Sequence, residues 1–403
     1  MKTAVLSFSL VLAGVQIASA ADWPSYRGPG GDGRSAETGL QVSWPLEGPK
    51  VLWRTRLGNG FSGIAIQDDR LFTQYGDGSH EYVVALDAGT GEEVWSAVTG
   101  DDRRDSQGSG PRSTPAVDGG LVFSLGASGN LHAVTAAEGT PVWSRDLVED
   151  FGARVPRWGV SASPVVAGDL LLIEAGGRRD YALVALAKDS GELRWHARSD
   201  RAGYSTPLVA EIGGRKQAVF FTAAGLTGTA LEDGAVLWQF PWETSYGVNA
   251  AMPVLVGEGK IFISTGYDKG AALLEIASTE SGFKVREIWR SRVMRNHFNS
   301  SVLADGHLFG FDNATLKCVE AASGQETWAQ RGLGKGSLLY ADSHLLVLSE
   351  RGVLLSIEAT PDEYRETARV RLLKGKTWTM PSLADGRLFV RDEREMVAVS
   401  LKP

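Results

Sequence analysis

Asp87-Ala88-Gly89-Thr90-Gly91-Glu92-Glu93-Val94-Trp95 is the stretch that decides the fold. It follows the apolar run 83–86, and we expect its two glycines to supply the positive φ angles that a tight turn between strands needs. Asp87 is placed to accept hydrogen bonds from the turn amides, and Val94-Trp95 begins the return strand. Copies of this block occupy residues 135–143, 187–195, 231–238 and 320–328.

The copies belong to a longer repeat whose units end in a tryptophan. From Trp53 to Trp328 there are six steps with a mean of about 46 residues. A period of about 40 to 50 residues with four short strands is typical of a β-propeller. Unit starts are counted separately near Phe61, Ser113, Ser161, Ser205, Asn249, Asn299, Ser337 and Thr379. Eight starts predict eight blades of four antiparallel strands in an all-β fold, with seven blades as the alternative.

The two ends of the repeat region complement each other. The last unit, 381–401, has three strands and no fourth, whereas the strand at 51–55 has no unit before it. We therefore predict that strand 51–55 completes the C-terminal blade. This pairing closes the ring and removes two exposed sheet edges. The predicted propeller domain spans residues 50–403.

Two segments precede the propeller. Residues 1–20 have a basic start at Lys2, an apolar run too short to span a bilayer, and the small-residue pattern Ala18-Ser19-Ala20. This pattern predicts a signal peptide that is cleaved after Ala20 and a periplasmic or secreted protein. Residues 21–49 form a predicted extended arm, rich in glycine and proline, that packs on the main body.

Composition narrows the function classes. The chain has 403 residues, of which 43% are hydrophobic and 22% charged, so a large core can form. Its 41 basic and 48 acidic residues give a net charge of −7, which argues against nucleic acid as a partner. Cys318 is the single cysteine, which excludes an intrachain disulfide and a multi-cysteine metal site. We expect no transmembrane span and a monomer.

Candidate binding residues precede the first strand of each predicted blade, where loops of a propeller open on one face of the channel. Basic, aromatic and amide side chains recur there: Arg112, Arg157, Trp158, Tyr204, Asn249, His297, Asn299, Lys335 and Trp378. Such a mouth suits a flat, anionic or carbonyl-rich ligand, or a protein partner. The alternative is that these side chains fill the channel and bond to one another. His297 alone does not make a metal site, and we predict none.

The repeat resembles the pyrroloquinoline-quinone (PQQ)-like β-propeller family. The resemblance is carried by Ala85-Leu86-Asp87 through Gly91 to Trp95 and by its copies, and it covers about residues 50–401. In that family, tryptophans on neighbouring blades dock and tie the ring. The resemblance assigns this role to Trp53, Trp95, Trp143, Trp195, Trp238, Trp289 and Trp328.

Members of this family divide into two functional classes. One class is non-catalytic, and it includes the similar propeller of the outer-membrane β-barrel assembly machinery, which is a lipoprotein scaffold. This chain has no cysteine near residue 20 that could carry a lipid anchor. The other comprises quinone-dependent dehydrogenases with calcium and a catalytic aspartate. The entry loops supply no acidic cluster for that chemistry, so no catalytic residue is assigned. We favour a ligand- or protein-binding scaffold, with a PQQ- and calcium-dependent alcohol or sugar oxidoreductase as the alternative.

Overall fold

The computed structural model describes residues 22–403, so the predicted signal peptide, 1–20, lies outside the described residues. Within this range the chain forms eight four-stranded antiparallel sheets, which confirms the prediction of an eight-bladed propeller. Strand β1 (Val51–Arg56) comes before the first complete sheet.

The strands follow one another in chain order, four to a blade. Blade 1 is β2 (Ala65–Gln67), β3 (Arg70–Gly76), β4 (His80–Asp87) and β5 (Glu93–Asp101). A two-stranded hairpin follows, β6 (Arg104–Asp105) and β7 (Gly108–Ser109). Blade 2 is β8 (Ala116–Asp118), β9 (Leu121–Leu125), β10 (Asn130–Thr135) and β11 (Pro141–Asp146). Blade 3 is β12 (Val165–Ala167), β13 (Leu170–Glu174), β14 (Leu183–Ala187) and β15 (Leu193–Ala197). Blade 4 is β16 (Leu208–Ile212), β17 (Arg215–Thr222), β18 (Gly225–Ala230) and β19 (Val236–Pro241).

The second half of the ring repeats the pattern. Blade 5 is β20 (Val254–Gly257), β21 (Lys260–Thr265), β22 (Gly270–Thr279) and β23 (Gly282–Ser291). Blade 6 is β24 (Val302–Ala304), β25 (His307–Asp312), β26 (Thr315–Glu320) and β27 (Glu326–Gln330). Blade 7 is β28 (Gly336–Ala341), β29 (His344–Ser349), β30 (Val353–Glu358) and β31 (Glu366–Arg371). Blade 8 is β32 (Ser382–Ala384), β33 (Arg387–Arg391) and β34 (Glu395–Ser400), with β1 as its outer strand.

Helix is scarce in the described part of the chain. The short helix α1 (Leu147–Phe151) is capped by the Asp146 carboxylate, and a single 3-10 turn covers Ser245–Gly247. Within residues 22–403, no helix has the length and apolar character needed to cross a membrane.

The ring closes where the sequence predicts. Strand β1 pairs antiparallel with β34, with Val51 opposite Val399 and Thr55 opposite Met396. A second contact joins the same two blades, because Arg391 on β33 is fully buried and reaches across to blade 1. Its guanidinium donates to Thr73 Oγ1 and to the carbonyl of Gln74, both at 2.9 Å. Closure therefore combines strand pairing with a buried arginine.

The tryptophans join each blade to the turn of the next. Six of the seven indoles donate to a carbonyl in the turn between the third and fourth strands of the following blade: Trp53 to Ala88 (3.0 Å), Trp95 to Ala136 (3.1 Å), Trp143 to Lys188 (2.8 Å), Trp195 to Leu231 (2.9 Å), Trp289 to Ala321 (3.0 Å) and Trp328 to Thr360 (2.8 Å). Turn glycines such as Gly91 lie against these rings, where a Cβ would stand 2.5 Å from Trp53. The indoles contact turns rather than one another.

Two of the eight seams are built differently. Trp238 donates to Gln217 Oε1 of its own blade at 2.7 Å. Blade 5 has no copy of the glycine turn, since its long hairpin runs to Thr279 and resumes at Gly282, so the usual carbonyl is missing. At the seam between blades 7 and 8, Ala368 occupies the register position that a tryptophan has in the other blades, opposite Ser356, and Val370 packs against Gly48 of the arm.

The arm crosses the end of the channel opposite the entry loops. Trp23 bridges to Ile66 of the first inner strand, and Arg34 bridges to Tyr340 of blade 7. Between them Arg27 is buried and donates to the carbonyls of Asp32 (2.6 Å) and Ser301 (2.7 Å). The arm thus reaches beneath the ring instead of lying only on its outer surface.

Candidate binding site at the channel mouth

The loops that enter the inner strands surround a cavity of about 180 Å³. Small residues that lie two positions before an inner strand line this cavity: Gly63, Thr114, Ser163 and Thr206. Tyr26 of the arm also lines this cavity. The mouth is therefore a pocket with a floor contributed by the arm.

Aromatic rings form a continuous arc around this pocket. Neighbouring ring centroids are 5.0 to 6.3 Å apart along the series Phe61, Trp378, Phe298, His297, Tyr267, Tyr246, Trp158 and Tyr204. Rings at these separations and tilted angles attract one another through their quadrupoles. The arc is consequently a preformed apolar wall.

Three cations stand at the edge of the wall. Lys376 Nζ lies 4.4 Å from the ring centroid of Trp378 and donates to the carbonyl of Gln107 at 2.8 Å. Lys335 Nζ lies 6.0 Å from the centroid of Phe298, and the Arg157 guanidinium lies 5.5 Å from that of Trp158. None of these three makes an ion pair with a carboxylate within residues 22–403. The rim is positive and open to an anionic partner.

The structure brings most of the predicted mouth residues together. Six of them line the pocket: Arg112, Trp158, Tyr204, His297, Asn299 and Trp378. Arg157 and Lys335 lie at its rim, beside Trp158 and His297 respectively.

Asn249 is the exception among the predicted site residues. Its side chain is fully buried, and its amide donates to the carbonyls of Thr222 at 2.7 Å and Trp242 at 3.0 Å. These bonds hold the entry loop of blade 5 against blade 4, so Asn249 positions backbone and does not face the pocket. Asn299, by contrast, lines the pocket while its amide donates to the carbonyl of Gly336 at 2.6 Å.

Burial sets the charge state of the polar groups in the mouth. The pKa of His297 is lowered to about 4 by burial and by the nearby Lys335, so the imidazole is neutral at pH 7. Burial also lowers the pKa of Arg112, whose guanidinium pairs with Asp105 at 2.9 Å. The positive character of the rim thus comes from the three unpaired cations and not from the histidine.

Sequence reasoning missed the pocket residues that do not precede an inner strand. Tyr267 lies in the turn between β21 and β22, a second set of turns that opens on the same face. Gln107 belongs to the β6–β7 hairpin, and Tyr26 comes from the arm, more than one blade away in sequence. The turns between second and third strands offered a usable signal, because strand alternation places them beside the entry loops.

A calcium-bound quinone does not fit this mouth. Calcium takes six to eight oxygen ligands, mainly carboxylates. No aspartate or glutamate lines the pocket, and Asp105, beside it, is paired with Arg112. Across residues 22–403, no group of three or more histidine, cysteine, aspartate or glutamate side chains is arranged to hold a metal ion.

Fold and site together define a class: an eight-bladed propeller of PQQ-like repeats with an aromatic, cationic mouth that lacks a metal-binding set. Within that class, the family model described as outer membrane protein assembly factor BamB matches residues 79–330. The match covers more than half of the chain, and the protein belongs to this family.

Individual relatives agree with this membership. The chain is 26% identical over 242 residues to the outer membrane protein assembly factor BamB of Burkholderia pseudomallei, which is 56% of this chain and 57% of that protein. It thus spans a little over half the length of this curated relative. BamB from Moraxella catarrhalis superimposes with a TM-score of 0.63 at 15% identity, over 87% of this chain and 99% of that one.

The fold is also shared with dehydrogenases. Quinohemoprotein alcohol dehydrogenase from Comamonas testosteroni superimposes with a TM-score of 0.68 at 11% identity, over 95% of this chain and 81% of that one. At this level of identity the likeness shows the propeller fold alone.

Proposed function

We propose that this protein is a non-enzymatic scaffold that takes part in outer-membrane protein assembly by binding a protein partner. The observation that carries the proposal is the family match over 79–330, which runs from the third strand of blade 1 to the last strand of blade 6. We further propose that it acts as a monomer in the periplasm, with residues 1–20 removed.

The mouth supports a binding role. Hot spots of protein interfaces are enriched in tryptophan, tyrosine and arginine. Trp158, Tyr204, Tyr267 and Trp378 occupy a preformed arc, and Arg157 lies at the rim. The closed ring holds these loops in place before a partner binds, so the loss of conformational entropy on binding is small.

The test is deletion of the gene in its own host. We expect lower amounts of folded outer-membrane β-barrel protein, measured by the heat-modifiable mobility of these proteins in gels, and restoration by a plasmid-borne copy. Unchanged amounts of folded barrels in the deletion strain would contradict the proposal.

A second measurement addresses the dehydrogenase alternative. Purified protein is mixed with PQQ and calcium, and the absorbance spectrum and dye-linked alcohol oxidation are recorded. We expect no stoichiometric quinone spectrum, because the pocket supplies no carboxylate ligands. A quinone spectrum together with turnover would replace the scaffold by an oxidoreductase.

A further inference from the structure

The cavity of the mouth has the size of a single aromatic ring. Its volume is about 180 Å³, and an apolar cavity of about 150 Å³ in a protein is known to accommodate benzene. Aromatic rings supply two facing parts of its wall, with Phe61, Phe298 and Trp378 on one side and Trp158 and Tyr204 on the other. An inserted ring would find tilted or stacked neighbours on both sides.

Two donors in the wall have no acceptor. The indole nitrogens of Trp158 and Trp378 are buried and have no hydrogen-bond partner within residues 22–403. In the tryptophans that join the blades, the indole is paired, as Trp195 is with Leu231. A buried donor without a partner is costly, so an occupant whose carbonyl or carboxylate accepts from either indole would relieve that cost.

The rim adds a preference for negative charge. Lys335, Lys376 and Arg157 make no ion pair with a carboxylate in the described chain; the nearest carboxylate to Lys335 that affects its charge is Glu350, which accepts from the Lys335 backbone N–H at 3.1 Å. Each stands over an aromatic ring of the wall at 4.4 to 6.0 Å. Acidic groups that flank an inserted ring would meet these cations just outside the pocket.

We propose that the mouth binds an extended, acidic segment of a protein partner, which inserts one aromatic side chain into the cavity. The segment's backbone carbonyls accept from the indoles of Trp158 and Trp378, and its carboxylates pair with Lys335, Lys376 and Arg157. This inference rests on the proposed scaffold function and names the chemistry of the segment that the scaffold binds.

Titration calorimetry on the purified full chain tests the peptide side. The probe is a capped peptide with one phenylalanine between two aspartates. Alanine in place of the phenylalanine should weaken binding at least tenfold. Asparagines in place of the aspartates should weaken it about fivefold at low salt, with a smaller difference at high salt because salt screens exposed charges. Phenylacetate, a free aromatic carboxylate, is titrated in parallel and should bind at least tenfold more weakly.

Variants test the protein side. Trp378→Ala should weaken the peptide at least tenfold, and Trp378→Phe, which keeps a ring but removes the N–H, should weaken it by less. Lys376→Gln should weaken it about threefold. Lys260→Gln is the matched control, because Lys260 is an exposed lysine at the start of β21, on the opposite face. Thermal melting of each variant verifies that the propeller remains folded.

Several results would overturn the inference. These are equal affinity for the phenylalanine and alanine peptides, no binding of any peptide, or unchanged affinity in folded Trp378→Ala. Phenylacetate binding as tightly as the peptide would make the mouth a site for free aromatic acids and would equally overturn it. Peptide binding that stays intact while a deletion strain assembles its outer membrane normally would refute the proposed function and leave this inference standing.

Discussion

Replacing Arg391 by methionine should weaken the closure of the ring more than any surface change. The side chain is fully buried and makes no ion pair with a carboxylate in residues 22–403. Its two shortest hydrogen bonds, to Thr73 Oγ1 and the Gln74 carbonyl, are both 2.9 Å. Hydrogen bonds to charged groups contribute about 1.5–3 kcal/mol each. Losing these two gives an expected loss on the order of 4 kcal/mol in the free energy of unfolding.

The assay is urea denaturation followed by tryptophan fluorescence, with hydrogen exchange as a local measurement. In Arg391→Met, exchange should accelerate first in β1 and β32–β34, because these strands form the blade that the arginine ties to blade 1. Burial lowers the pKa of Arg391 to about 10, so the wild-type side chain is still charged at pH 7. Arg391→Lys keeps a charge but not the fork of donors, and should recover less than half of the loss.

Arg292→Met is the control, since Arg292 is exposed in the loop that leads into blade 6. This variant should change the free energy of unfolding by less than about 0.5 kcal/mol. The reasoning is refuted if Arg391→Met costs no more than Arg292→Met, or if its exchange accelerates evenly around the ring.

Three further predictions concern the stability of the blades and the attachment of the arm. The pKa of Glu81 is raised to about 7, chiefly by burial, from an ordinary value of 4.5. The folded state therefore retains a proton that the unfolded carboxyl loses, and stability should fall as pH rises from about 5 to 8, by an amount on the order of 3 kcal/mol. Glu81→Gln should flatten this dependence in urea titrations, and an unchanged slope would contradict it. Trp195→Ala removes a buried ring and its hydrogen bond to Leu231, so it should lower the free energy of unfolding by about 3–5 kcal/mol. Amide hydrogen exchange should accelerate at the seam between blades 3 and 4, and uniform protection around the ring would argue against a role at this seam. Arg27→Met should release the arm, seen as faster proteolysis after Arg34, whereas an equal cleavage rate would mean that the arm is held by its bridges alone.

Most of the fold was predictable from the sequence because the repeat is regular. The spacing of the tryptophans and the count of unit starts defined eight blades, and the unpaired strand at 51–55 had one free edge to join. What the sequence did not reveal are interactions between distant segments. The path of the arm depends on the carbonyl of Ser301, and Arg391 looks like any surface arginine until its partners in blade 1 are known.

The candidate site was predictable in part, for the same reason. Loop position in the repeat indicates which residues lie near the mouth, and six of the nine predicted residues line it. Loop position does not indicate where a side chain points, so Asn249 could not be told from Asn299. Tyr267 and Tyr26 reach the pocket from a different turn and from the arm, which no analysis of entry loops includes.

The pairing of β1 with β34 also imposes a waiting time during synthesis. The partner of Val51 is made about 350 residues later, and at 5–20 residues per second this interval is roughly 20 to 70 s. During this interval the backbone hydrogen-bonding groups of β1 have no partner strand, while blades 1 to 7 can already assemble. The yield of closed propeller should therefore depend on how well this one strand is shielded from other chains during that interval.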